Sequence, residues 1–233
     1  MPIRVFAAAL ILSLAGAAAA RAQTYVSSGT EGELPANAEI VSSASPETLT
    51  DITGSLPLVN GTSGGNLFEI YINNPDAFSA STTSLAGGNN AFDTQLFLFN
   101  SAGLGLEAND DDPNTGQEQA LLPAGSSFLS NQSAGDYYLL IEGSGRYPAD
   151  SGANVIFPNL TDGATYADAL VGPAGPGGAN PFAALTGNSG EGGAYSIELT
   201  GAEFIAPVPE PSAIPLIALG CGVFWFQRRR AAP

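Results

Sequence analysis

Glycine and proline interrupt this chain so often that no helical period persists through its central part. The 233 residues include 29 glycines and 17 prolines, and both residue types destabilise the interior of a helix. Short apolar runs stand between the interruptions. Such runs, bounded by turn-forming residues, are typical of strands in an antiparallel β-sandwich or jelly roll. We therefore predict an all-β fold for the body of the chain, residues 23–207.

Two segments alternate between apolar and polar residues. The first, NLFEIYI at 66–72, places Phe68, Ile70 and Ile72 on one face of a strand. The second, AYSIELTGAEF at 194–204, alternates in the same way. A period of two indicates strands with one buried face. We also predict strands over DYYLLIE at 136–142 and, with weaker patterns, over 47–52 and 154–157.

A different kind of strand is indicated by TQLFLF at residues 94–99, whose last four residues are continuously apolar. Such a run is expected where a strand is buried on both faces. We predict that Leu96 and Leu98 point to one side of the strand, that Phe97 and Phe99 point to the other, and that all four are buried.

The charges of the chain are distributed unevenly. All six cationic residues are arginines, two within the first 21 residues, three within the last six, and Arg146 between them. Residues 23–208 carry 21 acidic side chains against Arg146 alone, a net charge of −20. Such a body repels nucleic acid and anionic lipid. It attracts cations, of which Ca²⁺ is the obvious candidate outside a cell.

The amino-terminal residues 1–22 have the features of a secretory signal helix. A short positive start, MPIR, precedes an apolar run, and Ala20-Arg21-Ala22 fits a small-x-small cleavage site. A membrane anchor or a buried helix is the alternative, but the run is short and its end is rich in alanine. We predict cleavage before Gln23. The only cysteine, Cys221, lies near the other end, so the exported body has no disulfide.

The carboxyl-terminal residues 208–233 combine three parts in order. Val208, Pro209, Glu210 and Pro211 come first and cannot be helical, because each proline restricts its own φ and the residue before it. We predict a single transmembrane helix over residues 213–227, which is short against a hydrocarbon core of ~30 Å. The segment ends at Arg228, Arg229 and Arg230, which hold that flank on the cytoplasmic side and can snorkel to the interface.

These three parts together resemble the PEP-CTERM sorting signal. The resemblance implies a substrate of an exosortase, a membrane-embedded cysteine transpeptidase, with signal peptidase acting at the other end of the chain. It also implies that the precursor is held in the inner membrane until the tail is cut at the Val208–Pro211 motif. The body is then released or attached outside. An ordinary tail anchor that contains Pro-Glu-Pro is the alternative.

The segment 143–193 is rich in glycine, proline, alanine and asparagine, and includes GPAGPGGANP at 172–181. A segment of this composition cannot make a core of its own. It is either an ordered cover on the sandwich or a mobile surface loop, and the sequence leaves both open.

A second resemblance rests on three phrases: FDTQLFLFNSAG at 92–103, ANDDD at 108–112 and SAGDYYLLIEGSG at 133–145. Together they resemble the bacterial pre-peptidase C-terminal domain. The resemblance implies a small β-sandwich accessory module of the kind found beside secreted enzymes or alone with sorting tails. This chain departs from the usual arrangement, because no peptidase or other catalytic domain accompanies the module.

The acidic turn within the second phrase predicts a calcium site. Ca²⁺ prefers carboxylate and carbonyl oxygens, which Asn109, Asp110 and Asp112 supply. We predict Asp110 and Asp112 as ligands, with Asp93 approaching if the two strand ends meet. A solvated acidic turn is the alternative, since the spacing does not match the EF-hand loop. We predict no other cofactor.

Several residue types that common enzyme mechanisms need are missing. Without histidine, a Ser-His-Asp or Cys-His arrangement is impossible. The body also lacks lysine and cysteine, which excludes Schiff-base and thiolate chemistry there. A carboxylate pair of the glycosidase kind remains. We predict a non-catalytic protein, with a carboxylate-type hydrolase as the third candidate function.

We expect an exported structural or adhesive protein of the cell surface or extracellular matrix, with extracellular polysaccharide as a candidate partner. The alternative is a glycan- or protein-binding module that serves a separate secreted enzyme. In that case Tyr71, Tyr137, Tyr138 and Tyr147 are candidates for stacking on sugars, although tyrosine in a strand more often belongs to the core.

The two targeting segments predict the mass of the mature protein. The extracellular form should begin near Gln23, end between Pro209 and Pro211, and lack Trp225. Intact-mass measurement of that form checks both ends, and an extracellular form that carries the full tail would contradict the prediction.

Overall fold

The computed structural model describes residues 22–29, 32–45, 47–82, 92–112, 118–158, 160 and 169–206. Apart from Ala22, the predicted signal segment lies outside these ranges, and so does the whole predicted tail, 208–233. Among the described residues, no helix is long and apolar enough to cross a membrane.

The described chain is mainly β and confirms the predicted all-β class. Two short 3-10 helices, Pro35–Asn37 and Pro75–Ala77, stand between strands. The strands are β1 Ala22–Val26, β2 Glu39–Ile40, β3 Thr48–Leu56, β4 Leu58–Val59, β5 Thr62–Ser63, β6 Asn66–Ile72, β7 Ser79–Ser81, β8 Thr94–Asn100, β9 Gly105–Asn109, β10 Leu121–Leu122, β11 Gly135–Gly143, β12 Arg146–Ala149, β13 Ala184–Gly187 and β14 Gly193–Glu203.

Ten strands form one hydrogen-bonded network, in which the central order is β1-β3-β14-β6-β11-β8-β9. The long strand β14 joins its two halves. Its ladder with β3 is interrupted by a bulge between Glu198 and Ala202. Residues 198–200 pair with β7, and Ala202 and Glu203 pair with both β3 and β6. Gly201 lies in this bulge with φ +67°, where a side chain would stand 2.8 Å from the backbone of Phe78. The bend lets the halves face each other, which gives a β-sandwich-like fold.

The strand pairing is mixed, where the sequence predicts an antiparallel sandwich. β1 lies parallel to β3, and β2 lies parallel to β6. Parallel neighbours need a long crossover connection, and residues 27–47 provide one between β1 and β3. The remaining ladders of the network are antiparallel.

An apolar inner core lies between the two halves and includes most of the predicted strand residues. Phe68, Ile70 and Ile72 of β6 point into it, as the alternating pattern predicts. Its members include Leu49, Ile52, Leu56, Phe68, Ile70, Ile72, Leu96, Leu98, Leu139, Ile141, Tyr195, Ile197 and Leu199.

A second apolar cluster, the outer core, lies on the opposite face of the β6-β11-β8-β9 sheet. It consists of Leu67, Phe97, Phe99, Ala108, Leu140, Ile156, Phe157, Leu160 and Phe182. Leu96 and Leu98 therefore face the inner core and Phe97 and Phe99 the outer core, all with no exposed surface. The prediction for this strand is confirmed.

The outer core is closed by the described part of 143–193, so this segment is an ordered cover. Phe182 stacks on Phe99 with ring centroids 4.9 Å apart, and Phe157 lies 5.7 Å from both Phe97 and Phe99. Backbone bonds tie the cover to the sheet, including Phe182 N–H to the Gly103 carbonyl at 2.8 Å. The predicted strand over 154–157 is wrong: only Val155 forms an isolated bridge, because the next two residues turn into the outer core.

Two local features hold the cover close to the sheet. At Gly105 of β9 a side chain would stand 2.7 Å from Ile156 and from Phe157, so glycine permits this approach. Within the cover, the Asp150 carboxylate accepts bonds from the backbone N–H groups of Gly152 and Asn154 and from the side-chain amides of Asn154 and Asn180. These bonds, first that from the Asn154 backbone, lower the pKa of Asp150 to about 2.

The two-sided burial of β8 predicts the result of a truncation. Replacing a buried Phe with Ala usually costs ~3–5 kcal/mol of the free energy of unfolding, and Phe97→Ala should lie in this range. Phe128→Ala is the control, because Phe128 is 37% exposed and its loss should be much smaller. Urea unfolding measures both, and equal stability of Phe97→Ala and the wild type would contradict the outer core.

Candidate metal centre

Three carboxylates converge at one end of the outer face. Asp93 precedes β8 and Asp110 follows β9, and the β8–β9 ladder, in which Leu96 pairs with Asn109, brings these two strand ends together. Carboxylate oxygens of Asp93, Asp110 and Asp111 lie within 4.8 Å of one another. Ca²⁺ binds oxygens at 2.3–2.6 Å, so ligands on opposite sides of one ion are about 5 Å apart. The spacing therefore suits a single Ca²⁺.

The turn between β11 and β12 closes a third side of this cluster. The Ser144 hydroxyl donates to Asp110 Oδ2 at 3.4 Å, and the Ser144 backbone N–H donates to the Asp93 carbonyl at 3.1 Å. Asp110 is only 1% exposed. A carboxylate removed from water in this way needs compensating charge or hydrogen bonds, and a bound divalent cation would supply the charge.

The structure brings together two of the four predicted ligands, Asp93 and Asp110. The other two, Asn109 and Asp112, are not members of this cluster. Asn109 Oδ1 accepts from the Leu121 N–H at 2.7 Å, and the Asp112 N–H donates to the Gln119 carbonyl at 2.6 Å. Asp111 takes the place expected for Asp112. The chain leaves the strand period at Asn109, so alternation no longer indicates which of the successive aspartates points inward.

Arg146, the only cation among the described residues, is partly buried and pairs with carboxylates outside this cluster. Its guanidinium donates to both oxygens of Glu33, at 2.7 and 2.9 Å, and to the Ser63 carbonyl. It also lies 3.6 Å from a carboxylate oxygen of Glu142. The hydrogen bond from Arg146 lowers the pKa of Glu33, while burial raises the pKa of Glu142 well above its usual range, opposed by Arg146. Arg146 is thus paired with Glu33 and Glu142, which are not part of the aspartate cluster.

Glu107 is a further buried carboxyl, on β9 opposite Leu98. It has no exposed surface, and burial raises its pKa to about 7, against a lowering by the Ser126 hydroxyl. The sequence gives little signal for this burial or for that of Glu142, because a single glutamate in a strand usually faces water.

In comparisons with protein-family models, curated proteins and solved structures, nothing matches this chain.

Calcium should stabilise the full chain. A ligand that binds only the folded state adds RT ln(1 + [L]/Kd) to the free energy of unfolding. At a Kd of about 10⁻⁴–10⁻³ M, ~1 mM Ca²⁺ adds about 0.4–1.4 kcal/mol and should raise the Tm in a thermal melt. Asp93→Asn with Asp111→Asn should abolish the increment, and Asp76→Asn with Glu198→Gln, both exposed, should keep it. The same Tm with Ca²⁺ and with a chelator would contradict the site.

Glu107 should make the protein less stable as pH rises. Its folded pKa of about 7 lies above the ordinary value of 4.5, so the folded state binds more protons than the unfolded state between these values. Stability therefore falls from about pH 4.5 to pH 7, by about 3 kcal/mol for this group. Glu107→Gln should remove this part of the slope in urea unfolding across that range. An unchanged slope would show that Glu107 is ionised in the folded protein.

Proposed function

We propose that this protein is an exported, non-catalytic β-sandwich protein of the cell surface or extracellular matrix. Its role is structural or adhesive, and it binds Ca²⁺ through Asp93, Asp110 and Asp111. The observation that carries the proposal is the convergence of these three carboxylates within 4.8 Å. Calcium sites of extracellular modules are weak, with Kd of about 10⁻⁴–10⁻³ M, and they suit a compartment in which Ca²⁺ is abundant.

The position of the fold in the chain supports export and sorting. The strands described above run from Ala22, the last residue of the predicted signal, to Glu203, which precedes the Val208–Pro211 motif. In this proposal signal peptidase removes the first segment and an exosortase acts at the motif, while residues 213–227 and the arginines hold the precursor transiently in the inner membrane. The body resembles the pre-peptidase C-terminal domain and works without a peptidase on the same chain.

The surroundings of the buried acids support a non-catalytic role. A glycosidase needs two carboxylates facing a cleft that admits substrate. Glu33 and Glu142 share Arg146, and Glu142 has no exposed surface. Glu107 lies within the sandwich. Burial raises the pKa of Glu107 and of Glu142, which makes the stability of the protein depend on pH, and we assign neither of them to catalysis.

Fractionation of the source cells with an antibody against the body tests the proposal. The body should be found at the cell surface or in the medium, without its tail. A Pro209→Ala, Pro211→Ala variant should accumulate in the inner membrane with its tail attached, and an Ala213→Ser variant, which leaves the motif intact, should behave as the wild type. A body found in the cytoplasm would contradict export, and an unaltered distribution of the proline variant would contradict sorting at the motif.

A further inference from the structure

A polar hollow lies at the end of the outer face opposite the aspartate cluster. It has a volume of about 330 Å³ and is formed by the β8–β9 turn and residues 131–137. This volume falls at the lower end of the range for small-molecule sites. The side chains that give it its chemistry are Ser101, Asn131, Gln132, Ser133 and Asp136.

The lining of the hollow selects for an uncharged, hydroxyl-rich ligand. Amide and hydroxyl groups can both donate and accept hydrogen bonds, and a carboxylate accepts them. Each hydroxyl of a sugar likewise donates one bond and accepts others. Among the described residues that line the hollow there is no cation, and the surrounding body is strongly acidic, so phosphate, sulfate and uronate ligands are disfavoured.

Two partly exposed tyrosines continue the hollow along the sheet. Tyr71 of β6 stands opposite Asp136 of β11 in the antiparallel ladder, so their side chains share a face. Tyr138, two residues beyond Asp136, lies on the same face and stands opposite Glu69. Burial raises the pKa of Tyr138, and the nearby charges of Glu69 and Asp136 raise it further. This agrees with the placement of Tyr138 beside these two carboxylates.

The other two tyrosines that the sequence offers for sugar stacking pack against the apolar cores, although Tyr137 also lines the hollow. Tyr137 is 3% exposed within the inner core, and its hydroxyl donates to the Ser133 carbonyl at 2.6 Å. Tyr147 packs against the outer core from β12. A tyrosine ring has an apolar face and a polar hydroxyl group. It therefore suits a sugar, whose C–H groups can pack on the ring while its hydroxyl groups remain hydrated. Tyr71 and Tyr138 are placed to provide such rings beside the hollow.

We propose that the hollow, with Tyr71 and Tyr138 beside it, is a binding site for an uncharged saccharide, a stretch of neutral polysaccharide. This inference rests on the proposed function, since it names the partner that a surface or matrix protein would hold. Neutral sugar fits better than an amino sugar, because six of the seven polar side chains that line the hollow are amides or hydroxyls and only Asp136 is charged.

Calorimetric titration of the full chain in detergent with defined hexasaccharides tests the site. The neutral probes are hexamers of glucose, galactose, mannose and N-acetylglucosamine. The charged probes are a glucosamine hexamer with free amines and a galacturonate hexamer. At least one neutral hexamer should bind, and Asn131→Ala with Asp136→Asn should weaken its binding at least tenfold. Glu198→Gln, an exposed acid on β14 away from the hollow, is the matched control and should bind as the wild type.

Each result of this titration decides the inference. Failure of every neutral hexamer at millimolar concentration would overturn it, as would binding of a charged hexamer alone. If the double variant still binds a neutral hexamer as tightly as the wild type, the saccharide binds at another site and the inference is wrong. A far-ultraviolet circular dichroism spectrum like that of the wild type checks that the variant folds. A surface-located body that binds no saccharide would refute this site and leave the proposed function intact, whereas a cytoplasmic body would refute the proposed function whatever the titration shows.

Discussion

The burial of one sheet on both faces is the constraint on which the rest of this structure depends. In β8 the side chains alternate between Leu96 and Leu98 on the inner side and Phe97 and Phe99 on the outer side, and all are buried. The second half of the sandwich covers only the inner side. Each phenylalanine left exposed to water would lose about 1.5–3 kcal/mol of favourable burial free energy. The outer side therefore needs a cover of its own.

The cover meets this need with few apolar residues. Ile156, Phe157, Leu160 and Phe182 reach the outer core, and glycine lets the backbone lie against the sheet where a side chain would collide. The hydrogen bonds of Asp150 fix the turn that positions these residues. A segment with the composition of a linker is thereby ordered through its contacts with the sheet, since it has no core of its own.

The cover also determines where polar groups of the outer face can remain available to ligands. The register of β6, β11, β8 and β9 places Asp93 and Asp110 at one end of that face, the outer core in the middle, and Tyr71, Asp136 and Tyr138 at the other end. The acidic end suits Ca²⁺ and the tyrosine end suits a neutral sugar. Both proposals thus follow from one sheet whose middle is closed and whose ends are polar.

The sequence predicts the strands well where burial follows a simple period. The alternation in β6 and β14 and the apolar run in β8 each determine which side chains are buried, because period and burial are directly linked in a strand. The pattern fails where contacts come from distant parts of the chain. The presence of Asp111 in the aspartate cluster, the burial of Glu107 and Glu142, and the parallel placement of β1 all depend on tertiary contacts that no local pattern encodes.

The order of the cover is the central structural claim, and amide hydrogen exchange of the full chain tests it most directly. The N–H groups of Ile156, Phe182 and Ala183 donate to the carbonyls of Pro148, Gly103 and Ala149. They should exchange far more slowly than in an unstructured chain, because exchange requires the cover to open from the outer core. Exchange of these three amides at the rate of an unstructured peptide, while the β8 amides stay protected, would contradict an ordered cover.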